Sequence, residues 1–147
     1  MITLEKVSKS NYLDCIRLEL FPGQEQFLAS NAVSIAQSRF EPHYQTRAIC
    51  EDDKVVGFLA YCHEDDPEDL ELYWLFRFMI DKNNQGRGIA SDVLKLLVAE
   101  VRQLGGKRLC TMFKPGNTNA DSAYKKFGFS EVGVLDDGDI HLEIAVI

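Results

Sequence analysis

The stretch LYWLFRFMIDKNNQGRGIASDVLKLLVAEV, residues 72 to 101, decides how the chain folds. Its first nine residues, Leu72 to Ile80, are apolar apart from Arg77 and read as a strand. From Gly88 to Leu104, apolar residues at Ala90, Val93, Leu94, Leu97, Val98, Val101 and Leu104 form a stripe one helical face wide, which Gly105-Gly106 ends. Between strand and helix, QGRGIA places two glycines around Arg87 with no proline and no bulky side chain. Glycines there let backbone N–H groups approach a ligand closely and take positive φ. Because the loop opens a helix, unpaired amides and the helix dipole favour an anion, by about 0.3 to 1 kcal/mol per charge. The loop reads as a pyrophosphate cradle with Arg87 as a side-chain partner. It lacks the GK[ST] of a P-loop, and Ser91 stands where a dinucleotide fingerprint needs glycine. A tight turn that holds its glycines for geometry alone remains the other reading.

Working outward, strand-like and helix-like segments alternate. Ile2 to Val7 reads as a strand, Ser10 to Leu20 as a helix broken by Phe21-Pro22-Gly23, and Gln24 to about Arg39 as a second helix carrying Phe27, Leu28, Val33 and Ile35. Ala48 to Cys50 and Val55 to Tyr61 flank EDDK as a hairpin, with VVGFLAY apolar enough for burial on both faces. The acidic segment Glu64 to Asp69 reads as a solvated loop. Past the glycine loop come a strand from Arg108 to Phe113, a helix from Asn117 to Phe127, and strands near Ser130 to Leu135 and His141 to Val146. The order predicts a mixed α/β (α+β) fold with an antiparallel start and a strand–helix–strand crossover. With no repeat, low-complexity tract or linker, residues 1–147 read as one domain.

Composition narrows the function. A chain of 147 residues with 46% hydrophobic and 27% charged residues is long enough to bury a core. No window approaches the roughly 18 apolar residues of a membrane span, and MITLEKVSKSNYLD does not read as a signal peptide, so the expected address is the cytoplasm. Cys15, Cys50, Cys62 and Cys110 are scattered, without CxxC or metal spacing, and read as reduced core thiols. His43, His63 and His141 are isolated in sequence, and no metal is expected. A net charge of −7 argues against sequence-independent nucleic-acid binding and favours a cationic ligand weakly.

Two motifs carry a resemblance. QGRGIA after an apolar strand is similar to the QxxGxG/A signature of the GNAT superfamily of N-acetyltransferases, with Gln85, Gly88 and Ala90 on its positions. NTNADSAYKKFGF, about 30 residues on, resembles the family's NxxAxxxYxxxGF segment at Asn117, Ala120, Tyr124, Gly128 and Phe129. More loosely, FLASNAVSIAQ with the following VVGFLAY and WLFRFMID strands resembles the spermine/spermidine or diamine acetyltransferase branch. The resemblance implies a central, mostly antiparallel twisted sheet with splayed strands flanked by helices, acetyl-CoA as co-substrate, a primary amine as acceptor and a homodimer.

It also implies roles. The main chain of Phe78, Met79 and Ile80 would pair with the pantetheine arm as an added strand. Amides of Gln85, Gly86, Arg87, Gly88, Ile89, Ala90 and Ser91 would hold the pyrophosphate, Asn117 would contact the cofactor arm, and Tyr124 would act as general acid for the departing thiolate. Read from spacing alone, Tyr124 shares a helical stripe with Ala120, Ala123 and Phe127, so its ring points inward; a tyrosine tied to a backbone carbonyl fits equally. Polyamine acetylases of the superfamily place a carboxylate on the splayed strand, but Phe76 stands at that position. Glu71 is the first candidate base, through water; Glu25 and Glu41 are the next, and either could instead bind a distant ammonium of the amine substrate, each of the three with a solvated surface carboxylate as its alternative. Arg77 is expected to pair with an acid such as Asp81. The same chemistry on a protein N-terminus, lysine, an amino acid or an aminoglycoside, and a non-catalytic acyl-CoA-binding regulator, stay open.

Overall fold

The computed structural model describes residues 1–27 and 29–147. Seven strands form one sheet: β1 (Ile2–Lys6), β2 (Gln45–Glu51), β3 (Lys54–Asp65), β4 (Glu68–Ile80), β5 (Arg108–Phe113), β6 (Ser130–Val134) and β7 (Ile140–Ala145). Their order is β1-β2-β3-β4-β5-β7-β6, and every neighbouring pair is antiparallel except β4 and β5. That parallel pair requires a crossover, supplied by helix α3 (Ile89–Gln103). Helices α1 (Tyr12–Ile16) and α2 (Asn31–Phe40) precede β2, and α4 (Thr118–Phe127) follows β5.

The hydrophobic stripe of α3 does what its period predicts. Ile89, Val93, Leu94, Leu97 and Val101 are buried and join Ile49, Leu59, Leu75, Leu109 and Leu142 in the main core on one face of the sheet. On the other face Cys15, Ala48, Phe58 and Met79 form a second cluster, with Leu18, Leu20, Ile35 and Phe76 packed against it. VVGFLAY is buried from Val56 to Tyr61, as a strand covered on both faces should be.

Two features of β4 position the site. It pairs with β5 only from Leu72 to Leu75, against Arg108 to Thr111. Beyond that, Arg77 to Ile80 are paired along one edge with β3, while the end of β5 is paired with β7, so the two strands part. The Thr111 hydroxyl donates to the Leu75 carbonyl at the parting point, 2.8 Å away. A bulge also leaves Phe76 unmatched, since Ala60 faces Arg77 and Tyr61 faces Leu75.

The N-terminal helices depart from the sequence pattern. The first ends at Ile16 rather than Leu20, because the chain beyond it binds the end of β4: Glu19 N–H donates to Asp81 (2.8 Å) and Lys82 N–H to the Glu19 carbonyl (2.7 Å). The expected helix over Gln24 to Arg39 divides into a 3₁₀ turn, Glu25–Phe27, and α2, which Ser30 caps by accepting from Val33 N–H at 3.2 Å. Leu28, expected within it, lies outside the described residues. The acidic loop is smaller than expected, since β3 and β4 extend to Asp65 and Glu68 and leave only Asp66-Pro67 as the turn. Among the described residues no helix is long and apolar enough to cross a membrane.

Candidate active site

Where β4 and β5 part, a cleft of about 720 Å³ opens between the end of β4, the glycine loop and α4. Phe78, Met79 and Ile80 line it from the strand, Gln85, Gly86, Gly88, Ile89, Ala90 and Ser91 from the loop and first turn of α3, and Asn117, Ala120, Ala123 and Tyr124 from α4. Sequence reading named most of these residues, and the fold brings them to one groove.

Both loop glycines are in the left-handed region, Gly86 at φ 77° and Gly88 at φ 80°. A Cβ added at either meets nothing within 4 Å, so the space they leave faces the cleft rather than a packed neighbour. Gly88 caps α3, and the amides of its first turn have no acceptor within the helix. Gln85 holds the loop in place: its Nε2 donates to the Ile80 carbonyl and to Gln24 Oε1, both at 3.0 Å. The result is a row of backbone donors at a positive helix end, a fit for a polyphosphate.

Arg87 does not serve as expected. Its guanidinium turns away from the groove, donates to both carboxylate oxygens of Glu51 (3.1 and 2.8 Å) and reaches Asn84 Oδ1 at 2.9 Å. A bidentate acid within reach outcompetes a solvated position in the groove. Lys126, on α4, is the cation that lines the cleft among the described residues.

Tyr124 is 6% exposed, with its ring edge-on to Phe129 (5.4 Å between centroids) and 6.4 Å from that of Phe78. Burial pushes its hydroxyl up to about 12, and the nearby Thr111 hydroxyl only partly opposes this. At neutral pH the group therefore holds its proton and can donate it. Asn117 caps α4 with its side-chain oxygen, accepting from Ala120 N–H at 3.3 Å, while also lining the groove.

The carboxylates named from sequence are not gathered there. Glu71 is exposed at the opposite end of β4, seven residues from Phe78 or roughly 23 Å at about 3.3 Å per residue. The choice of Glu71 as base is corrected by that separation: β4 opens at its C-terminal end, and Glu71 belongs to the paired end. Glu25 is exposed, next to Gln24, which lines the cleft. Glu41 is exposed at the end of α2, where its charge raises the pKa of Tyr44 after the larger effects of burial and Cys62.

Tyr44 went unnoticed in the sequence, where nothing distinguishes it. It packs against Phe76 with the rings tilted at 52° and 4.7 Å between centroids, and Arg77 lies over the same Phe76 ring at 5.4 Å. The expected Arg77–Asp81 pair does not form, because Asp81 is used by the amides of Glu19 and Asn83. Arg77 donates to the Phe76 carbonyl, its Nε is buried without a partner, and among the described residues no acid stands within 4.0 Å of it.

Comparison with known proteins agrees with this geometry. The profile of the acetyltransferase (GNAT) family matches residues 11–129. A Bacillus subtilis (strain 168) protein named spermine/spermidine N(1)-acetyltransferase is 26% identical over 140 residues, covering 92% of this chain and 91% of its own. The fold superposes on ribosomal-protein-S18-alanine N-acetyltransferase from Escherichia coli with a TM-score of 0.74 at 20% identity, covering 99% and 94% of the two chains. Aminoglycoside acetyltransferase AAC(6')-Ib, solved in complex with coenzyme A, superposes with a TM-score of 0.77 at 14% identity, covering 99% and 95%. With a glycine loop at a helix start, a parted strand pair and a family profile spanning most of its length, the chain belongs to the GNAT acetyltransferase family.

Proposed function

We propose that this acetyltransferase moves the acetyl group of acetyl-CoA to a primary amine, a polyamine or diamine, by direct attack in a ternary complex. The observation that carries the reading is Tyr124, a buried and protonated hydroxyl lining the same cleft as the glycine loop. The relative named as a spermine/spermidine acetyltransferase, matched over 92% of the chain, supports the choice of amine.

Acetyl-CoA supplies the thioester, whose acyl C–S bond breaks as the amine nitrogen forms the new C–N bond. The amides from Gln85 to Ser91 hold its pyrophosphate, and the free edge of Phe78 to Ile80 pairs with the pantetheine arm. Tyr124 gives its proton to the departing sulfur. The amine must attack without its proton, and an alkylamine with a pKa near 10.4 is neutral in only about one molecule in ~10³ at pH 7. With no carboxylate lining the cleft among the described residues, that proton leaves through water. Glu25 and Glu41 attract the distal ammonium groups.

The direct test is CoA release from acetyl-CoA with spermidine, spermine, putrescine, lysine and an N-terminal peptide offered side by side. Turnover of the polyamines supports the reading; CoA binding with no reactive amine would make the chain a regulator. The pH profile follows from the same groups. The kcat/KM for the amine should rise about tenfold per pH unit from neutrality toward the acceptor's pKa. Tyr124, held up at about 12, should produce no descending limb in that range. A fall beginning below pH 9 would assign the acid to a group with an ordinary pKa.

Arg77 favours a second reading, an acceptor that carries a carboxylate, such as an amino acid or a peptide N-terminus. A half-buried guanidinium with an unpartnered Nε beside Tyr44 repels a polycation and suits an anion. Arg77→Met separates the two: on a carboxylate-bearing acceptor kcat/KM should fall roughly 10- to 100-fold, the worth of a charged hydrogen bond. On spermidine it should hold or rise. Equal changes on both acceptors would remove Arg77 from acceptor choice.

A further inference from the structure

The face of the sheet opposite the main core carries a cluster the acetyl-transfer chemistry does not use. Leu109 and Leu142 point into the core, so their strand neighbours Cys110, His141 and Glu143 project from the other face. Cys110 and Glu143 are direct cross-strand partners on β5 and β7, and His141 is the diagonal neighbour of Cys110. One ligand atom from each of the three, a sulfur, an imidazole nitrogen and a carboxylate oxygen, lies within 4.8 Å of the others. His141 is fixed by stacking on Trp74, 4.9 Å between centroids at 28°, and Trp74 is in turn the cross-strand partner of Cys110.

One polar group there lacks a partner. His141 Nε2 is buried with no hydrogen-bond partner, a state native proteins avoid unless something unseen completes it. The Cys110 thiol donates to Glu143 at 3.3 Å, and Glu143 also faces Arg108 Nη1 at 3.3 Å. Thiolate, imidazole and carboxylate are the three ligand types of zinc, and three protein ligands with water complete its usual four.

We propose that Cys110, His141 and Glu143 form a Zn²⁺-binding site. The thiolate and carboxylate supply two negative charges against the two positive charges of the ion. Metal enters from the His141 and Glu143 side, both half-buried, while Cys110 forms the floor. Arg108 gives up its contact with Glu143 on loading. The site joins β5 to β7 one residue from Thr111, whose hydroxyl holds Leu75 where β4 and β5 part.

The chain carries one tryptophan, and it lies on the proposed ligand. Titrating the chelator-stripped full chain with Zn²⁺ should change Trp74 emission saturably at one equivalent. Co²⁺ should give the near-ultraviolet absorption of a thiolate–metal bond. Loss of a group that only orients a ligand weakens metal binding about 10- to 100-fold, so Cys110→Ser should weaken it by more than about 100-fold. His141→Gln, at a half-buried position, should do likewise. Cys62→Ser, which removes a thiol more exposed than that of Cys110, should bind as the parent does. The proposal falls if Zn²⁺ leaves the emission unchanged and no metal is retained on gel filtration, or if His141→Gln and Cys110→Ser bind as tightly as the parent.

Discussion

Tyr124→Phe should lower kcat for amine acetylation by about 10² to 10⁴ at pH 7, the usual worth of a positioned general acid, with acetyl-CoA binding unchanged. The variant keeps the ring that packs on Phe129 and Phe78, so the groove wall and α4 stay in place. Only the proton source is lost. A structural tyrosine would give the same loss at every pH, whereas an acid would not. A thiol with a pKa near 8.5 departs readily as thiolate above that pH and needs the proton less. The deficit of Tyr124→Phe should therefore be largest near neutrality and shrink as pH rises past about 8.5. Steady-state rates of the two proteins across pH, with CoA affinity measured separately, check both parts. A variant keeping half the parent rate at pH 7 would return proton donation to water.

What was readable in the sequence divides along physical lines. The helix α3 and its glycine loop were legible because a local period and a backbone requirement specify them, and the same holds for α4 with Asn117 as its cap. The helices α1 and α2 were less so. Residues past Ile16 have apolar spacing that suits a helix, but their backbone is claimed by Asp81 and Lys82, more than sixty positions away. Tertiary pairing overrides propensity there.

The site shows the same division. The groove lining came from two motifs, since backbone amides and a buried ring need only the right local geometry. Side-chain partners did not. Arg87 chose Glu51, 36 positions upstream, and Asp81 was occupied before Arg77 could use it. Glu71 lies on the strand that opens the cleft but at its paired end, because a run of apolar residues does not reveal where β4 leaves β5. The bulge at Phe76 is equally silent in sequence, yet it sets which side chains share a face with Tyr44.

The scaffold beneath the loop makes the last expectation. Glu100 of α3 pairs with Arg47 of β2, Oε2 to Nη2 at 3.0 Å and Oε1 to Nε at 3.2 Å, and accepts from the Tyr61 hydroxyl of β3. The Arg47 side chain is 9% exposed and that of Glu100 26%. Glu100→Ala would leave the guanidinium buried with only the Thr46 carbonyl and the Tyr61 hydroxyl. Truncating one member of a buried pair costs about 3 to 5 kcal/mol, and discounting for the exposed part of Glu100 gives about 2 to 4 kcal/mol. Urea unfolding should show it as a lower midpoint at unchanged slope, with kcat preserved well below the transition. Replacing both members, Arg47→Met with Glu100→Leu, should recover most of the loss, because the remaining cost is an unpaired charge rather than a missing attraction. A loss under about 0.5 kcal/mol for Glu100→Ala would place the pair with ordinary surface salt bridges. It would then be apolar packing of Val93, Leu94, Leu97 and Val101 alone that holds α3, and with it the anion cradle, on the sheet.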